Sequence, residues 1–127
     1  MDDNTKEAEE YLKNAKDRLE SAEILMNAGK YNDAISRVYY AFFDAATAAL
    51  LSKNLTVKTH HGLIVLFEQN FIKTGKVNVG VGKWLARAKE AREEADYEIY
   101  KKFNKETVES GINAAKKFIK NIINIIK

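Results

Sequence analysis

The chain of 127 residues has no cysteine, which removes disulfides, thiolate zinc sites and cysteine nucleophiles together. It has no proline either, so nothing in it forces a helix to break. Glycines number only six, and most fall between apolar-periodic runs. No run approaches the roughly 20 apolar residues of a membrane span. The most apolar tail, Ile119 to Ile126, is interrupted by Lys120, Asn121 and Asn124. The start, Met1-Asp2-Asp3-Asn4, is acidic and lacks the apolar core of a signal peptide. Phosphate loops, Ser-His-Asp patterns and metal motifs are missing as well. These absences lead us to expect a cytoplasmic protein with no membrane contact, no metal and no cofactor. Many Lys and Glu beside the missing proline and cysteine would suit a thermophile.

What is present is enough for one core. Apolar residues make up 46% of the chain, and the 31% that are charged are mixed in sign, which argues against disorder. The length fits a single domain over residues 1–127. The net charge of +3 is spread unevenly. The first segment is acidic (Asp2, Asp3, Glu7, Glu9, Glu10, Asp17, Glu20 and Glu23), whereas Lys53, Lys58, Lys73, Lys76, Lys83, Arg87 and Lys89 make the middle basic. Solvated helix faces account for this pattern, and the basic middle is too weak to mark an RNA footprint by charge alone.

Apolar spacing predicts five helices. The first runs from about Asn4 to Ala28, with Tyr11, Leu12, Ala15, Leu19, Ala22 and Met26 on its stripe and Gly29 ending it. The second runs from about Asn32, a candidate N-cap, to Ser52. The third begins near Thr59 and ends before Gly75. A loop from Thr74 to Gly82 leads to a fourth, Lys83 to Tyr97. The fifth opens near Asn104 and carries Val108, Ile112, Ala115, Phe118, Ile119, Ile122 and Ile126. Val77, Val79 and Val81 alternate, but a lone stretch has no strand to pair with. The expected fold is all-α, an antiparallel bundle of four to five helices.

The second helix is apolar on two sides. Ala34, Ile35, Val38, Ala41, Phe42, Ala45, Ala49 and Leu50 form one, while Ser36, Tyr40, Phe43 and Thr47 lie nearly opposite. Such a helix is either central in its bundle or shared with a second subunit, and so short a chain points to a homodimer. Arg37 and Asp44 share one strip between these sides. Arg92 falls inside the apolar stripe of the fourth helix, among Trp84, Leu85, Ala88, Ala91 and Ala95. A buried arginine keeps its charge and needs a partner, with Asp96 or Asp44 the candidates. Either a packing ion pair or an anion site would fit. His60 and His61, adjacent and divergent, make a poor metal site, and capping or packing is the better reading.

Two segments carry a family resemblance. One is Gly29-Lys30-Tyr31-Asn32-Asp33-Ala34-Ile35-Ser36-Arg37-Val38-Tyr39-Tyr40-Ala41, continuing to Ala46; the other is Arg92-Glu93-Glu94-Ala95-Asp96-Tyr97. With Lys58-Thr59-His60-His61-Gly62 and Phe71-Ile72-Lys73-Thr74-Gly75, the chain resembles HEPN proteins that carry an Arg-Xaa-Tyr-Tyr-Ala segment. The resemblance implies a dimeric HEPN-like bundle that binds RNA or a nucleotide. It also implies a minimal nucleotidyltransferase as partner in a toxin–antitoxin-like pair. In HEPN ribonucleases an arginine followed four to six residues later by histidine forms the site. Here Arg92 matches the arginine, and Tyr97 stands where the histidine is expected. Tyrosine ionises near pH 10, which weighs against the standard nuclease mechanism. In some such pairs a tyrosine near the motif receives a nucleotide, and Tyr97 or Tyr100 would be that acceptor. The resemblance thus makes Arg92 and Tyr97 the candidate catalytic pair. Arg37, Asp44, Arg92, Asp96, Tyr97 and Tyr100 are the candidate ligand contacts. The alternatives are a metal-independent endoribonuclease with a degenerate Arg-x4-Tyr motif, and a non-catalytic dimeric scaffold.

Overall fold

Every regular element among residues 3–126, the part described by the computed structural model, is helical. The acidic start at Met1 and Asp2 lies outside the described residues. The helices are α1 (Asp3–Asn27), α2 (Tyr31–Leu51), α3 (His60–Phe67), α4 (Val79–Tyr97) and α5 (Lys105–Ile126). A single wider π-type turn, Glu68–Ile72, extends α3. Gly29, at φ +79°, takes the left-handed conformation that ends α1, as its place after the apolar stripe predicts. The link to α2 is so short that the two helices must run antiparallel and pack along their lengths.

The α2 helix is the centre of the bundle and touches α1, α3, α4 and α5. All eight residues of its predicted apolar side are buried. Alanine dominates there, and its small side chain lets α1 approach closely. Opposite α1, Phe42 meets Phe118 of α5 at 5.1 Å, and Phe118 meets Phe67 of α3 at 5.4 Å. These three rings tie three helices into one core. The other side of α2 divides in two. From Asp44 to Leu51 every residue is buried, so the bundle's own helices cover that half, including Thr47. Ser36, Tyr40 and Phe43, nearer the start, remain only half-buried.

Two sequence expectations are corrected. Asn32 does not cap α2, which starts one residue before it and has Lys30 at the cap position. Instead the Asn32 amide donates to the Lys101 carbonyl at 2.8 Å and accepts from the Phe103 N–H at 3.0 Å. It therefore holds the link between α4 and α5. The fourth helix begins at Val79, not Lys83, because the Asn78 side chain accepts from the Gly80 N–H at 2.7 Å and nucleates the turn. Val77 is buried, and Gly82 sits where a Cβ would overlap the Ile72 side chain. The alternating valines are thus a buried anchor and a first helical turn. No helix among the described residues is long and apolar enough to cross a membrane.

Candidate functional site

The half-buried side of α2 is where α4 and α3 bring polar groups together. The apolar stripe of α4 turns Arg92 inward, and its side chain is 12% exposed. Its Nη1 lies 3.4 Å from Asp96 Oδ2, one helical turn on, which is long for a charged hydrogen bond. Asp96 is 36% exposed and is also held from α2, where Ser36 Oγ donates to its Oδ1 at 2.6 Å. The guanidinium carbon sits 5.3 Å from the Tyr39 ring centre and 6.0 Å from that of Tyr97. Arg92 Nε is buried and has no hydrogen-bond partner among the described residues. An arginine has five N–H donors, so this one is anchored by stacking and a single long ion pair with donors to spare.

Tyr39 carries the arrangement over to α3. It is fully buried, and its hydroxyl lies 2.5 Å from His60 Nδ1. The two rings stack, 5.6 Å apart and 14° from parallel. Phe43 adds a third ring 4.7 Å from the imidazole. Thr59 makes this placement possible, since its Oγ1 accepts from the Gly62 N–H at 2.8 Å and fixes His60 as the first residue of α3. Burial, then the charges of Arg92 and Lys89, push the His60 pKa below its ordinary value, with Glu93 opposing them. The imidazole is therefore neutral at pH 7. Burial drives the Tyr39 phenol upward, well out of the physiological range, so it serves only as a hydrogen-bonding group.

The other residues singled out from the sequence scatter. Asp44 is buried but faces α1, where Arg18 Nε approaches its Oδ2 at 3.3 Å. Arg92 therefore pairs with the first of its two candidate partners. Arg37 is exposed and makes no hydrogen bond or ion pair among the described residues. Tyr97 and Tyr100 are 76% and 92% exposed. Tyr97 borders the opening in front of Arg92, together with Glu90, Glu93, Glu94 and Glu98. Lys89 pairs with Glu93, and Lys101 with Glu94, which leaves Glu90 and Glu98 as the acids of that rim without an ion pair among the described residues. His61 is exposed. No group of three or more His, Asp or Glu able to hold a metal occurs among the described residues.

A family model described as HEPN domain covers residues 8–126. The chain belongs to the HEPN domain family. Its HEPN relatives include a UPF0332 protein of Thermotoga maritima, 34% identical over all of this chain and 96% of the relative. Two proteins of Methanocaldococcus jannaschii are also similar. "Putative toxin MJ0605" is 36% identical over 89% of this chain and 84% of its own length. "Putative toxin MJ0142" is 35% identical over 82% and 71% respectively.

Reading the sequence alone passes over Tyr39, His60 and Ser36 as members of this cluster. Tyr39 lies between the two sides of α2 assigned by spacing, and Ser36 was counted with the second apolar side. Its place at a helix start assigns His60 to capping or packing, and it packs against the ring that also carries Arg92. The one available signal was the Tyr39-Tyr40 pair on a helix already apolar on two sides.

Proposed function

We propose that this HEPN chain is the toxin-like half of a two-protein system that binds the phosphate of a nucleotide or RNA at Arg92 and is partnered with a minimal nucleotidyltransferase. The observation that carries the reading is the buried Nε of Arg92 without a partner. A buried guanidinium with unused donors is matched by an oxyanion such as a phosphate, two of whose oxygens can take paired N–H donors. Asp96 holds the side chain and Tyr97 stands at the mouth. Glu90 and Glu98 would repel a long polyanion along α4, so the opening suits a nucleotide or a short single strand.

The high exposure of Tyr97 and Tyr100 leaves both phenols open to a partner enzyme. In such a transfer the phenol oxygen bonds to the α-phosphorus of a nucleoside triphosphate, pyrophosphate leaves and the phenol proton goes to solvent. The names of the two Methanocaldococcus relatives support the toxin-like role. We take residues 1–127 as one cytoplasmic domain that forms a homodimer through or near the half-buried side of α2, and light scattering at micromolar concentration should show two copies.

The test is to purify the protein with the product of its neighbouring gene. Co-elution and a nucleotide mass on a tyrosine, lost in Tyr97→Phe or Tyr100→Phe, are expected. A monomer that elutes alone with no added mass contradicts the reading. A metal-independent endoribonuclease is the second reading, favoured by the imidazole one ring away from Arg92. Rapid RNA cleavage abolished by Arg92→Ala would promote it.

A further inference from the structure

His60 lies outside the α4 motif, yet three observations attach it to Arg92. Both side chains pack on Tyr39, the guanidinium at 5.3 Å and the imidazole at 5.6 Å from its ring centre. The positive charge of Arg92 is felt at the imidazole. The ring also lines an open cavity of about 300 Å³ beside Phe43, Thr47, Lys58 and Thr59, distinct from the opening that Arg92 lines, so one edge is reachable from solvent. The Tyr39 hydroxyl settles what that edge offers. Tyr39 is fully buried, and among the described residues its oxygen meets only His60 Nδ1. If His60 donated through Nδ1, the phenol proton would be stranded in the core. The arrangement that satisfies both groups has Tyr39 donating to Nδ1, which leaves the imidazole proton on Nε2.

We propose that His60 is the neutral hydrogen-bond donor of the Arg92 site, standing in from the start of α3 for the histidine that the α4 segment lacks and contacting phosphate of the same bound nucleotide or short RNA strand. This inference rests on the anion-binding reading of Arg92. It assigns His60 a binding role. A neutral imidazole with its proton on Nε2 is a weak acid and no base at that nitrogen, so the cluster grips a phosphate without cleaving it quickly.

The experiment has two arms on the intact protein. Long-range proton–nitrogen NMR of the imidazoles at pH 7.5 should show His60 with the proton on Nε2, and Tyr39→Phe should mix the two tautomers. Titration with AMP and with a five-nucleotide single-stranded RNA should then shift the His60 Nε2 signal. His60→Phe should weaken binding about ten- to a hundredfold, the range of one hydrogen bond to a charged group, and His60→Gln, which keeps a neutral donor, should recover most of it. Because His60→Phe leaves the Tyr39 hydroxyl without its acceptor, the double variant Tyr39→Phe/His60→Phe checks that any loss belongs to the missing donor. A proton on Nδ1, or full-strength binding by His60→Phe while Arg92→Gln binds poorly, overturns the role of His60 and leaves Arg92 in place. Full-strength binding by Arg92→Gln, or none by the wild type, overturns the anion reading and this one with it.

Discussion

The bundle contains two arginine–aspartate pairs against α2, and they are built in opposite senses. In Arg18–Asp44 the carboxylate is inside, 7% exposed, and the arginine reaches in from a side chain 38% exposed. In Arg92–Asp96 the arginine is inside, 12% exposed, and the carboxylate is open at 36%. A buried carboxylate needs a donor, and Arg18 supplies one. Burial still pushes the Asp44 pKa up, with the bond to Arg18 and its charge pulling it back. That pair is closed. A buried arginine with one long ion pair and an orphan Nε is open to an anion. Two pairs of the same composition thus divide into a packing device and a candidate site according to which partner is buried.

Arg18→Ala should have the largest effect on folding. It leaves the Asp44 carboxylate without its charged donor, and the cost should be about 2 kcal/mol, below that of a fully buried pair because water can follow the truncated side chain. Urea denaturation measures it, and no change would make Asp44 as open as Asp96. Arg92→Ala should cost less, about 1 kcal/mol, from a weak ion pair and stacking on Tyr39. Asp96 is not stranded by the change, since Ser36 still donates to it. A loss near 3 kcal/mol in the same assay would return Arg92 to a packing role.

Asp44→Asn should be milder still, within about 1 kcal/mol, because replacing a buried carboxylate removes a desolvation cost along with an ion pair. The smallest effect concerns His60. Its folded pKa lies below the unfolded value near 6.5, so the unfolded chain binds the proton more readily. The stability this gives is fully present above about pH 6.5 and is lost as the pH falls through the folded value. Melting temperature should therefore drop between pH 7 and pH 5 more steeply in the wild type than in His60→Phe. Equal slopes would mean that the imidazole is not held neutral.

The helical architecture was legible because α2 and α5 bury what their spacing marks as apolar. Helix starts were less so. Asn32 and Asn78 are the same residue type at comparable places, and only one caps a helix; the other spends its amide on a link about 70 residues away in sequence, which no local pattern records. Arg92 was visible as a charge on an apolar stripe, and Asp96 as its neighbour by helical spacing. Tyr39 and His60 were not assigned to the site, because their meeting depends on how α3 docks against α2. Asp44 shared a strip with Arg37 and still turned to α1, since a strip on one helix does not say which neighbour covers it.

The central claim is that the unused donors of Arg92 seat a phosphate while Arg18–Asp44 only holds the bundle together. Ligand-induced thermal stabilisation by a nucleotide or a short single-stranded RNA, measured side by side in the wild type, Asp44→Asn and Arg92→Gln, tests it most directly. The melting temperature should rise with ligand in the wild type and in Asp44→Asn and stay flat in Arg92→Gln. An equal rise in Arg92→Gln would contradict the claim.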